Sequence, residues 1–173
     1  DNENMTIHTA REDFPWRGYA LAVHIIRLLS VMMGGVTIAF AYAIALEMFE
    51  GNRWLAFGAT GITAFNPMFV FISSAVNNDN LVIAICTVTT WLLIRIARRG
   101  ATVGNAALVG LLIGLGALSK LYALGMLPVA GLALLWAAYR GKSWRKFFIW
   151  MFALVAVVIL VAGWGYWRNS MLY

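Results

Sequence analysis

Long apolar stretches alternate with short polar breaks along this chain, spaced as helices that repeatedly cross a bilayer would require. The first apolar run extends from Tyr19 to Leu46 and ends at the turn Glu50-Gly51-Asn52-Arg53. A second run, Trp54 to Ala75, is interrupted by Pro67 and followed by Asn77-Asn78-Asp79-Asn80, a cluster of turn formers. The third, Leu81 to Ala97, closes on Arg98-Arg99-Gly100. Ala106 to Tyr139 is apolar except at Ser119-Lys120, Arg140 to Lys146 is a basic loop, and a last run covers Phe147 to Trp167. Runs near ~20 residues fit a hydrocarbon core of ~30 Å at ~1.5 Å per residue. By the same measure Ala106 to Tyr139 would make one helix of ~50 Å, too long for a single crossing. It is therefore expected to be a hairpin that bends near Ser119-Lys120. Pro67 and Pro128 each remove a backbone donor and are expected to kink their helices.

These runs predict an all-α fold, a polytopic transmembrane bundle of about six passes. The helices are expected over about 18–48, 54–75, 80–98, 105–119, 121–139 and 147–168, after a polar loop segment at 1–17. The distribution of charge supplies the orientation. Arg53, Arg95, Arg98, Arg99, Arg140, Lys142, Arg145 and Lys146 fall on one predicted side with only Glu47 and Glu50. That excess marks the cytoplasmic side and leaves residues 1–17 outside it. An even number of crossings must then separate Arg98 from Arg140, which is the hairpin again.

Composition agrees with lipid as the solvent: 62% of residues are hydrophobic and 12% charged, against roughly half and a quarter in soluble domains. The net charge of +6 does not point to nucleic acid, because its cations lie in the short loops that topology already explains. Cys86 is the single cysteine, so no intrachain disulfide can form. The chain opens on Asp1 with a polar stretch that has no signal-peptide pattern. An exported start without an export signal leads to the expectation of a fragment of a longer protein.

Residues able to carry chemistry gather on the predicted outer side. His24 and Arg27 are three apart and share a helix face near the outer hydrocarbon boundary. An arginine at that depth snorkels, pairs, or faces a polar cavity, where its fork suits a phosphate. Both readings stand, snorkelling to lipid or an anion site. Lys120 follows a short apolar arm and lies either at a hairpin tip or at a helix break lining a cavity. The one carboxylate and three amides of Asn77-Asn78-Asp79-Asn80 could orient a substrate hydroxyl, join a metal shell or cap the helix starting at Leu81, and capping is the simplest reading. No metal-ligand spacing, nucleotide-binding loop or nucleophile elbow is present. No cofactor is expected, and a divalent metal is not indicated. A lone histidine such as His24 is more commonly packed and hydrogen-bonded than a ligand.

A family resemblance joins these features. His24-Ile25-Ile26-Arg27-Leu28-Leu29-Ser30, followed by Gly34-Gly35-Val36-Thr37 and Tyr42, resembles the second transmembrane helix of bacterial protein O-mannosyltransferase-like enzymes. These are membrane glycosyltransferases of the GT-C superfamily. Asn66-Pro67-Met68-Phe69 and Val76-Asn77-Asn78-Asp79-Asn80-Leu81 resemble the next helix and external loop. Gly114-Leu115-Gly116-Ala117-Leu118-Ser119-Lys120 is similar to the family's glycine-rich helix ending in Ser/Thr-Lys. Trp167-Arg168-Asn169-Ser170-Met171-Leu172-Tyr173 is similar to the segment that opens a later external loop. The resemblance implies transfer of a sugar from a polyprenyl-phosphate carrier at the non-cytoplasmic face of a bacterial plasma membrane. It implies phosphate ligation by Arg27 and Lys120, with His24 beside them, and a substrate cavity containing Asp79, Asn78 and Arg168. The family's catalytic acid follows a first transmembrane helix, and none of Glu3, Glu12 or Asp13 matches it.

Two other functions compete with this one. A non-catalytic subunit would dock glycine faces such as Gly34-Gly35 and Gly58 to Gly61 onto other membrane subunits. A transporter would be expected to show internal symmetry, and no repeat is evident. Lipid bilayer and a polyprenyl-phosphate-linked sugar are the partners expected of the enzyme, and nucleic acid is not among them.

Overall fold

A computed structural model describes residues 14–172, and among them every regular element is helical. Most of the predicted loop 1–17, including Glu3, Glu12 and Asp13, lies outside the described residues. α1 is Gly18–Met48, α2 Arg53–Ala64, α3 Pro67–Ser74, α4 Asp79–Arg99 and α5 Val103–Ser119. A 3-10 segment, Leu121–Gly125, leads into α6, Met126–Arg140. α7, Trp144–Val158, passes through a π-helical turn, Ile159–Gly163, into α8, Trp164–Leu172. Four stretches are long and apolar enough to cross a membrane: Gly18–Met48, Asp79–Arg99, Leu121–Arg140 and Trp144–Leu172. The α2–α3 pair makes a fifth if counted as one span, and α5 is a shorter apolar helix of 17 residues.

The run from Trp54 to Ala75, expected as one kinked helix, is two helices bent by 63°. Pro67 is the first residue of α3, where its missing N–H would have had no helical partner. Asn66 caps α3, its Oδ1 accepting from the N–H groups of Met68 at 2.9 Å and Phe69 at 3.3 Å. Sequence here encodes a fresh helix start. Pro128 also behaves differently from expectation. It sits in the first turn of α6, where a donor is not needed, and the irregular geometry is the 3-10 segment ahead of it.

Burial on α1 is inverted relative to a soluble helix. Its buried residues are Ser30, Gly34, Thr37 and Ala45, while Leu28 and Met32 are exposed. Lipid is as apolar as leucine, so nothing drives large side chains inward, and small residues let backbones approach. A Cβ on Gly34 would come within 3.1 Å of Ser73 Cβ on α3, so Gly34 packs within its own chain instead of awaiting a partner. The buried hydroxyls of Thr37, Thr60 and Thr89 donate to the carbonyls of Met33, Ala56 and Ile85 in the preceding turn, which satisfies them where no water is available.

The main core joins Leu92, Leu93 and Ile96 of α4, Val109 and Ile113 of α5, Leu134 of α6 and Leu154 of α7. Glycines bring α5 against α7 and the π-helical turn after it: a Cβ on Gly110 would collide with the Leu154 carbonyl, and one on Gly114 would lie 2.9 Å from Val161 Cβ.

Polar contacts sort the helix ends. Glu47 near the end of α1 accepts from Arg99 at 2.5 Å and lies 3.8 Å from Arg95 Nε, so α1 and α4 finish together. Arg140 Nη1 donates to the carbonyls of Ala97 and Arg98, each at 3.2 Å, satisfying the end of α4 from the end of α6. This is the basic end, and the hairpin between Arg98 and Arg140 returns to it as the charge pattern required. At the opposite end, about 30 Å away along the 21 residues of α4, lie Asp79 and the tip of that hairpin.

Candidate functional site

The site is assembled where three chain segments meet at the Asp79 end. Asp79 is the first residue of α4, so its carboxylate faces the partial positive charge of a helix N-terminus. Asn77 holds it in place from both sides. Asn77 Oδ1 accepts the Asp79 N–H at 3.0 Å, and Asn77 Nδ2 donates to Asp79 Oδ2 at 3.0 Å. The helix is thus capped from within the Asn77–Asn80 cluster, as the sequence suggested, with Asn77 as the capping side chain; the Asn78 side chain makes no capping bond. Asn78 instead points its amide toward the carbonyl of Ser119, at 3.5 Å. Asn80 is buried and donates to the Ala75 carbonyl at 3.0 Å, locking the turn that precedes α4.

Lys120 comes from the hairpin tip. α5 stops at Ser119, and Lys120 has extended backbone (φ −151°, ψ 135°) before the 3-10 segment begins. Its Nζ donates to Asp79 Oδ1, an ion pair spanning 41 positions of sequence. Tyr122 Oη donates to the same oxygen at 3.0 Å, and its ring centroid lies 5.5 Å from Lys120 Nζ. The lysine side chain is 33% exposed and the aspartate's 24%, so the pair can be reached from outside the bundle. An ammonium has three protons to donate. Asp79 takes one, and the others can meet a second anion. Chemically the cluster can hold a phosphate oxygen on Lys120 and a hydroxyl on Asp79 or Asn78.

The other predicted site residues make no hydrogen bond or ion pair with this cluster. His24 sits on α1, its Nδ1 2.8 Å from the Ala20 carbonyl and its ring stacked on Trp16 with centroids 3.8 Å apart. Arg27, one turn further along α1, is exposed and makes no ion pair among the described residues. Arg168 is exposed on α8. That helix is tied to the end of α5 through Tyr166 Oη, which donates to the Ala117 carbonyl at 2.8 Å. The structure therefore brings Asp79, Asn78 and Lys120 together, and no hydrogen bond or ion pair joins His24, Arg27 or Arg168 to them. Sequence reasoning missed Tyr122 and Tyr166. Tyr122 is two positions from Lys120, close enough to have been considered, but nothing in its spacing pairs it with residue 79. Among the described residues no three His, Cys, Asp or Glu side chains converge as a metal site would need.

Residues 22–167 match the family model described as dolichyl-phosphate-mannose-protein mannosyltransferase. The chain belongs to that family. The match runs from the start of α1 into α8, so it includes the hairpin, the turn before α4 and every member of the cluster above. As a member of this mannosyltransferase family the chain is an integral-membrane glycosyltransferase protein, and the four long apolar stretches agree with that assignment. No curated protein and no solved structure matches it.

Proposed function

We propose that this chain forms part of a GT-C-type transferase that takes a sugar from a polyprenyl-phosphate carrier at the non-cytoplasmic face. The observation that carries the reading is Lys120 at a helix break, paired to Asp79 and reachable from outside, at the end opposite the arginine-rich one. Positive charge concentrates on cytoplasmic ends, so the Asp79 end faces outward in this reading. Lys120 neutralises the carrier phosphate as it becomes the leaving group, which stabilises charge that develops in the transition state. Arg27 supplies a second, forked contact from α1. Asp79 and Asn78 line the sugar or acceptor side of the cavity, and Arg168 borders it from α8. His24, stacked on Trp16, fixes the start of α1 beside Arg27.

The test is sugar transfer from polyprenyl-phosphate mannose in proteoliposomes holding the full-length protein. Lys120→Ala and Arg27→Ala are each expected to raise KM for the lipid roughly ten- to hundredfold, the scale of one charge-assisted hydrogen bond. Lys120→Arg should recover part of the loss. Wild-type kinetics in both alanine variants would remove the phosphate role from these residues.

A second reading has one observation in its favour. A Cβ on Gly58 or Gly61 would meet nothing within 4 Å, leaving α2 with an open small-residue face suited to another membrane subunit. A protein that binds the carrier but transfers no sugar would support it.

A further inference from the structure

A cavity lies at the basic end, far from the Asp79 cluster, and the proposed transfer reaction does not use it. It has a volume of about 670 Å³ and opens between α1, α2 and α4. Its polar lining is Glu47, Glu50, Arg53, Arg98 and Arg99, and Trp91 lies deeper. Trp91 is eight positions before Arg99 on α4, so the cavity descends ~12 Å from the helix end. A lipid headgroup and the first carbons of its acyl chains are of that length, so the cavity has the depth to take them.

The charges are divided into committed and uncommitted groups. Glu47 is committed to Arg99 at 2.5 Å and to Arg95 Nε at 3.8 Å. Arg53, Arg98 and Glu50 are exposed on the rim and make no ion pair with one another or with any described residue. Two guanidinium groups suit a phosphodiester, and one carboxylate nearby suits a primary ammonium. Glu50 also occupies a backbone conformation (φ +52°) that L side chains rarely adopt, at the turn where a helix ordinarily ends on glycine.

We infer that this cavity binds the headgroup of a zwitterionic phospholipid bearing a primary amine. Arg53 and Arg98 hold the phosphodiester, Glu50 holds the ammonium, and the acyl chains descend beside Trp91 and Ala43. The mixed lining selects such a lipid over a purely anionic one, because an anionic headgroup leaves Glu50 facing negative charge. It also selects against a quaternary amine, which has no N–H to donate to Glu50. Basic pockets between transmembrane helices are established lipid-headgroup sites, and the carboxylate adds the discrimination.

The experiment is native mass spectrometry of the detergent-purified, delipidated protein titrated with phosphatidylethanolamine, phosphatidylcholine or phosphatidylglycerol of matched acyl chains. Wild type is expected to retain phosphatidylethanolamine roughly tenfold more tightly than the other two, the worth of one charge-assisted hydrogen bond. Glu50→Gln should abolish that preference while leaving phosphate-dependent binding. Arg98→Gln should weaken all three lipids. Both substitutions fall on exposed rim residues and spare the Glu47–Arg99 pair, so folding is retained; thermal unfolding of each variant checks this. Equal retention of all three lipids by wild type, or an unchanged preference in Glu50→Gln, would overturn the inference. Competition by inorganic phosphate as effective as the lipid would also overturn it, by assigning the cavity to a free anion.

Discussion

Lys120, Asp79 and Tyr122 act as one unit. Removing the lysine leaves a carboxylate held by Tyr122 and Asn77 alone, and removing the aspartate leaves an ammonium at the membrane surface without its counter-charge. Effects of groups that share a partner are not additive. Asp79→Asn combined with Lys120→Gln is therefore expected to lower the thermal midpoint by less than the sum of the single changes. Unfolding of the four proteins in one detergent gives the coupling directly, and strict additivity would mean that the pair is not formed in the membrane protein. Tyr122→Phe removes a single hydroxyl donor and should weaken carrier binding less than Lys120→Ala, since the ammonium keeps its contact with Asp79.

At the level of elements, glycine has opposite meanings on neighbouring helices. On α5 it allows contact with α7: at Gly110 an added Cβ strikes the backbone carbonyl of Leu154, which cannot move without shifting α7. Gly110→Ala is expected to destabilise by about 1–3 kcal/mol, the range for overpacking. On α6, a Cβ on Gly131 meets nothing within 4 Å. Gly131→Ala should stabilise by up to about 1 kcal/mol through reduced backbone entropy alone. Opposite shifts in the thermal midpoint would confirm the assignment. The break between α2 and α3 has a similarly local cause, in Asn66 and Pro67. Asn66→Ala, which strips the cap from Met68 and Phe69, is expected to cost about 1 kcal/mol.

Across the whole molecule, most of the positive charge of the described residues lies at one end of the bundle. If the basic end is cytoplasmic, as its arginines argue, a cysteine at Lys142 should be shielded in intact cells and one at Asn78 open to a membrane-impermeant thiol reagent. Lys142→Cys and Asn78→Cys are made for this purpose in a Cys86→Ser background; labelling of Lys142→Cys alone would invert the topology. Much of this large-scale arrangement was legible in the sequence, because lipid imposes long apolar helices and charge bias orders their ends. Turns at Asn77–Asn80 and Ser119–Lys120 announce themselves by composition, since turn formers and a lone lysine stand out against leucine and alanine. The bend at Asn66 was only half legible, because proline marks an interruption without saying whether the helix kinks or starts anew. Contacts between distant segments were not legible. Lys120 meets Asp79 across 41 positions, and Tyr122 joins them from a 3-10 turn. No periodicity records such a meeting; it depends on how far α5 extends and on how closely its glycines let it pack. Sequence by itself determined solvent, helix class and charge bias, which follow from residue chemistry summed along the chain. Only tertiary structure decided which polar groups share a site and that Glu50, Arg53 and Arg98 surround one cavity, because those are properties of packed helices and not of any single one.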